Sequence, residues 1–101
     1  MDVQEAKKII DSQKVIIFDI RDDDSFRESH IPQAISLNDS NVDEIVKNTD
    51  KSASILCYCY HGISSQSAVA FLREQGFQNV YSLDGGFEAW RTSYPDQSEN
   101  N

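Results

Sequence analysis

Two short apolar runs constrain what this chain can fold into more than any other feature. One covers residues 15–18 and the other lies within Ser54–Tyr58, and no charged residue interrupts either of them. A strand with one wet face alternates between apolar and polar residues, whereas a strand that is buried on both faces does not. The two runs therefore predict inner strands of a mostly parallel sheet that helices cover on both faces.

Apolar residues at helical spacing separate these runs, so strands and helices are expected to alternate. Asp2 is expected to cap a first helix whose apolar residues are Val3, Ala6, Ile9 and Ile10. Weaker patterns predict helices over 25–28, 41–47, 65–75 and 87–91, and strands over 34–37 and Asn79–Ser82. This order indicates an α/β fold with right-handed crossovers. The 101 residues suffice for one domain, expected over 1–92, followed by a polar, flexible tail over 93–101.

The formal net charge of −8 limits the partners that suit this chain. Binding to nucleic acid or to an anionic membrane requires clustered Lys and Arg, so neither partner is expected. No stretch approaches the ~20 apolar residues of a membrane span, and residues 1–10 lack the charged-then-apolar pattern of a secretion signal. The two cysteines are too few and too close for a disulfide framework. These features predict a cytoplasmic protein with free thiols.

The segment that joins the second apolar run to the next helix is the candidate reactive site. Its residues are Cys59, Tyr60, His61, Gly62, Ile63, Ser64 and Ser65. Ligands of parallel sheets bind beyond the carboxyl ends of the strands, which is where Cys59 falls. The free N–H groups at a helix start favour an anion and lower the pKa of a thiol. We predict that Cys59 is a nucleophile rather than a structural thiol, that Gly62 permits the turn, and that Ser64 or Ser65 caps the helix.

Several other interpretations of this segment are weaker. Cys57 is expected to be a core thiol, since a redox pair with Cys59 would lack the usual Cys-x-x-Cys spacing. A metal site built from these two thiols and His61 would need a fourth ligand, and only His30 remains. His61 is expected to line the pocket or to be solvated. A cysteine phosphatase needs an arginine six residues after its cysteine, and Ser65 stands there instead.

Asp19 and Arg21 end the first predicted strand and lie two residues apart. They form either an ion pair near the mouth of the pocket or a surface pair of little energetic weight. The sequence leaves both alternatives open.

Three stretches of the chain together resemble the rhodanese domain family. The first comprises Asp19-Ile20-Arg21 and Phe26-Arg27-Glu28-Ser29-His30-Ile31-Pro32-Gln33-Ala34, the second is residues 59–64, and the third is Leu83-Asp84-Gly85-Gly86-Phe87-Glu88-Ala89-Trp90. Within the family, the loop Cys-Tyr-His-Gly-x-Ser-Ser is similar to that of the single-domain GlpE-type thiosulfate sulfurtransferases. The resemblance spans nearly the whole chain and implies a rhodanese-like fold with a central, mostly parallel five-stranded sheet.

The resemblance also implies a reaction. Cys59 would take the outer sulfur of thiosulfate, or the sulfur of another persulfide donor, and would become a persulfide as sulfite leaves. The backbone N–H groups from Tyr60 to Ser65 would hold the substrate. Cyanide or a dithiol protein such as thioredoxin would accept the sulfur. The resemblance implies neither a metal nor an organic cofactor.

The chain departs from the family pattern at five positions. Tyr60 and Ser64 stand where many members carry basic residues, as in the GlpE type, and Ile63 stands where a polar residue is expected. Ser29 and Gln33 replace glycines of the first stretch. The alternative function is a non-catalytic rhodanese-like binding or sulfur-carrier module. The presence of the cysteine favours the enzyme, because an inactive module does not need that residue.

Overall fold

A computed structural model describes residues 1–100, in which helices and strands alternate along the chain. The helices are α1 (Val3–Asp11), α2 (Asp23–Glu28), α3 (Val42–Asn48), α4 (Ser64–Glu74) and α5 (Gly86–Ser93). The strands are β1 (Ile16–Asp19), β2 (Ile35–Ser36), β3 (Ser54–Tyr58) and β4 (Asn79–Ser82). Each helix and strand predicted above is present, with small differences at its ends.

The strands form one parallel sheet in the order β2-β1-β3-β4. Strands β1 and β3 lie in its middle, with Ile17 opposite Leu56 and Phe18 opposite Cys57. This position confirms that the two unbroken apolar runs are inner strands. Because all strands are parallel, the carboxyl ends of β1 and β3 meet at one edge of the sheet, where Arg21 and Cys59 follow them.

The prediction of five strands is wrong, since residues 1–100 form a sheet of four. Met1 contacts the end of β4: its carbonyl oxygen accepts the N–H of Asp84 (2.8 Å) and its ammonium donates to the carbonyl oxygen of Ser82 (3.1 Å). Helix α1 then begins at Val3, and the Asp2 carboxylate accepts the Glu5 N–H at 2.8 Å, as predicted for the cap. The chain therefore leaves the sheet after one residue, which is too short for a strand.

Apolar side chains pack against both faces of the sheet in two clusters. The cluster under α1 and α5 consists of Val3, Ala6, Ile10, Ile17, Ile31, Ala34, Leu56, Tyr58, Leu83, Phe87 and Trp90. The cluster under α3 and α4 consists of Phe18, Leu37, Ile55, Cys57, Val69, Leu72, Phe77 and Val80. Full burial of one such large side chain stabilises the fold by about 2 kcal/mol, so both clusters hold the inner strands in place.

The two residues that replace glycines in the family pattern differ in backbone conformation. Gln33 has a φ of +71°, in the left-handed region that glycine adopts most readily. A side chain in this region costs roughly 1–2 kcal/mol. Ser29 has an extended backbone, with a φ of −168°, and carries no such strain.

The segment after α5 folds back onto the domain. The indole N–H of Trp90 donates to the carbonyl oxygen of Gln97 (2.8 Å), and His30 and Glu99 exchange two backbone hydrogen bonds of 2.8 Å. The flexible tail over 93–101 stays a prediction, and residue 101 lies outside the described residues. No helix within residues 1–100 is long and apolar enough to cross a membrane.

Candidate active site

Cys59 directly follows β3 and lies at the bottom of a cavity at the carboxyl edge of the sheet. The cavity has a volume of about 470 Å³ and is lined by Ile20, Arg21, Asp22, Cys59, Tyr60, His61, Ile63 and Ser64. Only 6% of the cysteine is exposed, and the cysteine forms part of the cavity wall. The geometry therefore allows an enclosed reaction at one thiol.

Hydrogen-bond donors surround the sulfur on its protein side. The backbone N–H groups of Gly62 and Ser65 each donate to Cys59 Sγ at 3.2 Å, and the Ser65 Oγ lies 3.4 Å away. Burial raises the pKa of this thiol. Hydrogen bonds from the Ser65 hydroxyl and from the backbone of Ser65, Gly62 and His61 lower it by more, and the pKa lies below its ordinary value of 9.0. The arrangement favours a thiolate.

The loop is held in this shape by the first turn of α5. The N–H of Phe87 donates to the carbonyl oxygen of Cys59 (2.8 Å), and the N–H of Glu88 donates to that of Tyr60 (3.1 Å). These two bonds fix the start of the loop against α5, and the same loop then brings the N–H groups of Gly62 and Ser65 to the sulfur. The close approach requires Gly86, since a Cβ there would lie 2.5 Å from the carbonyl oxygen of Cys59.

Gly62 serves the turn as predicted from the sequence. Its φ is +86°, and a Cβ at this position would lie 2.9 Å from the backbone nitrogen of Gly85. Two requirements therefore coincide at Gly62: a left-handed backbone and close contact between two loops.

The prediction that Ser64 or Ser65 caps α4 is wrong. Helix α4 begins after Ile63, so both serines lie inside the helix, and the residue at the cap position provides no capping side chain. The sulfur of Cys59 takes this role, because it accepts the N–H of Ser65. The Ser65 hydroxyl is fully buried and instead contacts the sulfur and the hydroxyl of Ser82, whose oxygen is 2.6 Å away.

Sequence analysis missed Ser82, which ends β4. No local motif marks this serine. Its position follows from sheet order, since β4 pairs with β3 and Ser82 lies opposite Cys57. A parallel pairing of these strands would have pointed to it, because both carboxyl ends then meet at the site.

The other predicted loop residues lie at the cavity rim. Tyr60, His61, Ile63 and Ser64 are exposed, and Ile63 is 75% accessible. The Tyr60 hydroxyl is hydrogen-bonded to that of Ser25, and its ring centroid lies 5.1 Å from the guanidinium carbon of Arg21. His61 lines the cavity and is also exposed to solvent, so both alternatives expected for it apply.

Asp19 and Arg21 form a buried ion pair. The Arg21 side chain donates from Nη2 to Asp19 Oδ2 (2.7 Å) and from Nε to both carboxylate oxygens (3.1 Å each). The same Nη2 donates to the carbonyl oxygen of Ser29 at 2.6 Å. The two side chains are 0% and 3% exposed, so this is the ion-pair alternative and not the surface pair. Asp19 therefore balances the positive charge of Arg21, which lines the cavity.

Cys57 lies in the core, as expected. It is fully buried in the cluster with Phe18 and Val69, and burial raises the pKa of its thiol to about 12. Both cysteines are free thiols. Within residues 1–100, no group of three or more His, Cys, Asp or Glu side chains is arranged to hold a metal ion.

Comparison with known proteins gives concordant sequence matches. The family model described as Rhodanese-like domain matches residues 2–93. A protein named thiosulfate sulfurtransferase GlpE, from Coxiella burnetii, is 45% identical over 96 residues, which are 95% of this chain and 90% of that protein. A protein of the same name from Pseudomonas syringae pv. syringae is 40% identical over 94 residues, which are 93% and 89% of the two chains.

Solved structures match the fold over the same length. A crystal structure of the Alr3790 protein from Anabaena sp. is 27% identical and superposes with a TM-score of 0.89, covering 100% of this chain and 82% of that one. The BH2092 protein from Bacillus halodurans is 28% identical with a TM-score of 0.86, covering 99% of this chain and 75% of the other.

Proposed function

This chain belongs to the rhodanese-like domain family, and from that membership we propose the reaction of its buried thiol. The chain is a thiosulfate sulfurtransferase: it moves the sulfane sulfur of thiosulfate, or of another persulfide donor, to a thiophilic acceptor. The relatives named thiosulfate sulfurtransferase, at 40% and 45% identity over most of both chains, support this activity. No observation favours a non-catalytic binding or sulfur-carrier module.

The first half-reaction uses Cys59 as the nucleophile. Its thiolate attacks the outer sulfur of thiosulfate, a new S–S bond forms, and the old S–S bond breaks with its electron pair leaving on sulfite. The enzyme keeps a persulfide on Cys59. The observation that supports this step most directly is that the backbone nitrogens of Gly62 and Ser65 lie 3.2 Å from Sγ, where their N–H groups stabilise a thiolate.

The second half-reaction returns the thiolate. A nucleophilic acceptor attacks the terminal sulfur, the persulfide bond breaks, and its electron pair stays on Cys59 Sγ. Cyanide would leave as thiocyanate. The thiolate of a dithiol protein similar to thioredoxin would become a persulfide, which its second thiol resolves to a disulfide with release of sulfide. We place this reaction in the cytoplasm, since a reducing compartment keeps the cysteines free.

The loop from Tyr60 to Ser65 forms the substrate site in this proposal. Thiosulfate and the protein are both anionic, so the overall field opposes binding, and the N–H groups of the loop must supply the local attraction. The exposed rim residues then shape the entrance rather than the reaction. A binding role for the backbone explains how a loop without basic side chains can accept an anion.

Mass spectrometry after incubation with thiosulfate tests the proposal. The protein should gain the mass of one sulfur atom, peptide mapping should place it on Cys59, and sulfite should appear in equal amount. Cys59→Ser should abolish the mass gain and sulfur transfer to cyanide. The matched variant Cys57→Ser should keep transfer within roughly tenfold of wild type, about 1.4 kcal/mol. Sulfur on Cys57, or transfer by Cys59→Ser, would overturn the proposal.

A further inference from the structure

The hydroxyl of Ser65 has two hydrogen-bond partners, Cys59 and Ser82, and the reaction described above assigns no role to Ser82. Ser65 is fully buried, with its Oγ 3.4 Å from Cys59 Sγ and 2.6 Å from the Oγ of Ser82. These three atoms form a short chain from the thiol to the end of β4. A hydroxyl carries one hydrogen and two acceptor positions, so Ser65 cannot donate to both neighbours at once.

The direction in which hydrogens are donated along these two hydrogen bonds depends on the charge of the sulfur. A thiolate can only accept, so Ser65 donates to it and must itself accept a hydrogen from Ser82. A protonated thiol can donate to Ser65, which then donates to Ser82. The hydroxyl of Ser82 therefore completes the hydrogen bonding of Ser65 in either state, and in the thiolate state it donates its hydrogen to the Ser65 oxygen.

The hydrogen-bonded series from Cys59 through Ser65 to Ser82 is open to solvent at Ser82. Ser82 is half-buried and lines a surface depression of about 420 Å³ together with Met1, Gln66, Arg73 and Asp84. This depression shares no lining residue with the cavity at Cys59. Ser82 can therefore find a partner for its own free position in solvent, whereas the enclosed Ser65 depends on its two neighbours.

We propose that Ser82 is a positioning residue that acts through the Ser65 hydroxyl to stabilise the thiolate of Cys59. This inference rests on the proposed function, because it assigns to Ser82 the support of the nucleophile. A hydrogen bond to a charged acceptor is stronger than one to a neutral acceptor, and a second donor behind it strengthens it further. The loss of Ser82 should thus disfavour the thiolate more than the thiol.

Charged groups from several helices, strands and loops lie near these three hydrogen-bonded side chains. Arg21 and Asp22 after β1 and His61 in the loop line the cavity in front of the sulfur. The Met1 ammonium, Arg73 of α4 and Asp84 after β4 line the depression behind Ser82. None of these groups is hydrogen-bonded to the Ser65 or Ser82 hydroxyl, so a substitution at Ser82 changes the hydroxyl chain and leaves the charges unaltered.

The pKa of Cys59, measured from the pH dependence of its alkylation by iodoacetamide and mapped by mass spectrometry, tests this role. Ser82→Ala should raise that pKa by about half a unit. Threonine and valine have the same shape, so Ser82→Thr should keep the wild-type pKa while Ser82→Val raises it as alanine does. Ser67→Ala, on the exposed face of α4, should leave it unchanged. Thermal melting identifies any variant that does not fold. If Ser82→Ala does not fold, the comparison of Ser82→Thr with Ser82→Val tests the role of the hydroxyl.

A double variant tests whether Ser82 acts through Ser65. Ser65→Ala should raise the pKa of Cys59 by about one unit, and adding Ser82→Ala should raise it no further. Equal pKa values in Ser82→Thr and Ser82→Val, or an additive effect in the double variant, would overturn the inference. Alkylation needs no sulfur donor. A failure of sulfur transfer with these pKa shifts intact would therefore count against the proposed function alone.

Discussion

The backbone N–H of Phe87 donates a hydrogen bond of 2.8 Å to the carbonyl oxygen of Cys59. Phe87 lies in the first turn of the last helix and Cys59 lies in the loop after β3, so the end of the chain fixes the orientation of the reactive loop. The contact fixes this carbonyl group against α5, and the loop then places the N–H groups of Gly62 and Ser65 at 3.2 Å from the sulfur. The third family stretch therefore supports the loop that carries Cys59.

Gly86→Ala should unfold or distort this contact. The added Cβ would lie 2.5 Å from the carbonyl oxygen of Cys59, and the φ of +59° disfavours any side chain. We expect a loss of about 3 kcal/mol in the free energy of unfolding and loss of persulfide formation. Urea denaturation and the thiosulfate mass assay measure the two effects.

Gly76→Ala is the matched control. Its φ is +99°, but the nearest atom to a new Cβ is 3.9 Å away. We expect a loss of about 1 kcal/mol and normal persulfide formation. Equal losses of stability in both variants would show that backbone conformation, and not the contact with the loop, explains Gly86.

Sequence patterns predicted what depends on neighbours along the chain. The unbroken apolar runs predicted the inner strands β1 and β3, because a strand that is buried on both faces consists of consecutive apolar residues. The position of Cys59 between an apolar run and a helical pattern predicted its place at the carboxyl edge of the sheet. The resemblance to the family implied a sheet of five strands, and residues 1–100 form only four.

Features that depend on contacts between distant segments could not be predicted in this way. Ser82 reaches Ser65 only because β4 pairs with β3, and no spacing in the sequence states that pairing. The capping role expected for Ser64 or Ser65 failed because α4 already begins at Ser64, and the sulfur of Cys59 accepts the Ser65 N–H. Burial also decided between the two alternatives for Asp19 and Arg21, which sequence alone left open.

Asp19→Leu should destabilise the protein strongly. It leaves the Arg21 guanidinium, which is 3% exposed, without its carboxylate partner. Removal of one member of a buried pair costs roughly 3–5 kcal/mol, while apolar replacement of both members is close to neutral. Asp19→Leu/Arg21→Met should therefore regain most of the stability lost by Asp19→Leu, as measured by urea denaturation. If the double variant is as unstable as the single one, the hydrogen bond from Arg21 to the Ser29 carbonyl is the more important contact.

Tyr60→Arg should improve binding of thiosulfate. Residue 60 lines the cavity and is 43% exposed, so an arginine there adds a cation at the entrance that the natural loop lacks. We expect KM for thiosulfate to fall about fivefold at low salt, with the gain declining as salt screens the charge. Steady-state kinetics at two ionic strengths measure this effect. Tyr60→Phe, which removes only the hydroxyl bonded to Ser25, is the control, and an unchanged KM for Tyr60→Arg at low salt would mean that its side chain points away from the substrate.

The two thiols should affect stability in opposite directions as pH changes. The folded pKa of Cys57 is about 12, above the ordinary 9.0, so its contribution is complete below pH 9.0 and is lost as pH rises towards 12. The folded pKa of Cys59 is lowered, so its contribution is complete above pH 9.0 and is lost as pH falls through the lowered value. The same chemical group thus stabilises the fold as a thiol at one position and as a thiolate two residues later.

Unfolding curves of Cys57→Ala and Cys59→Ala between pH 6 and 10 separate these contributions, since all other titrating groups are shared with wild type. Above pH 9.0 the free energy of unfolding of wild type should fall more steeply than that of Cys57→Ala, by at most about 1.4 kcal/mol per pH unit. Below pH 9.0 wild type should lose stability relative to Cys59→Ala as the thiolate is protonated. Iodoacetamide at pH 8 should label Cys59 alone in the folded protein and both cysteines in urea. Rapid labelling of Cys57 in the folded state, or parallel curves for all three proteins, would contradict the assignment of one buried thiol and one stabilised thiolate.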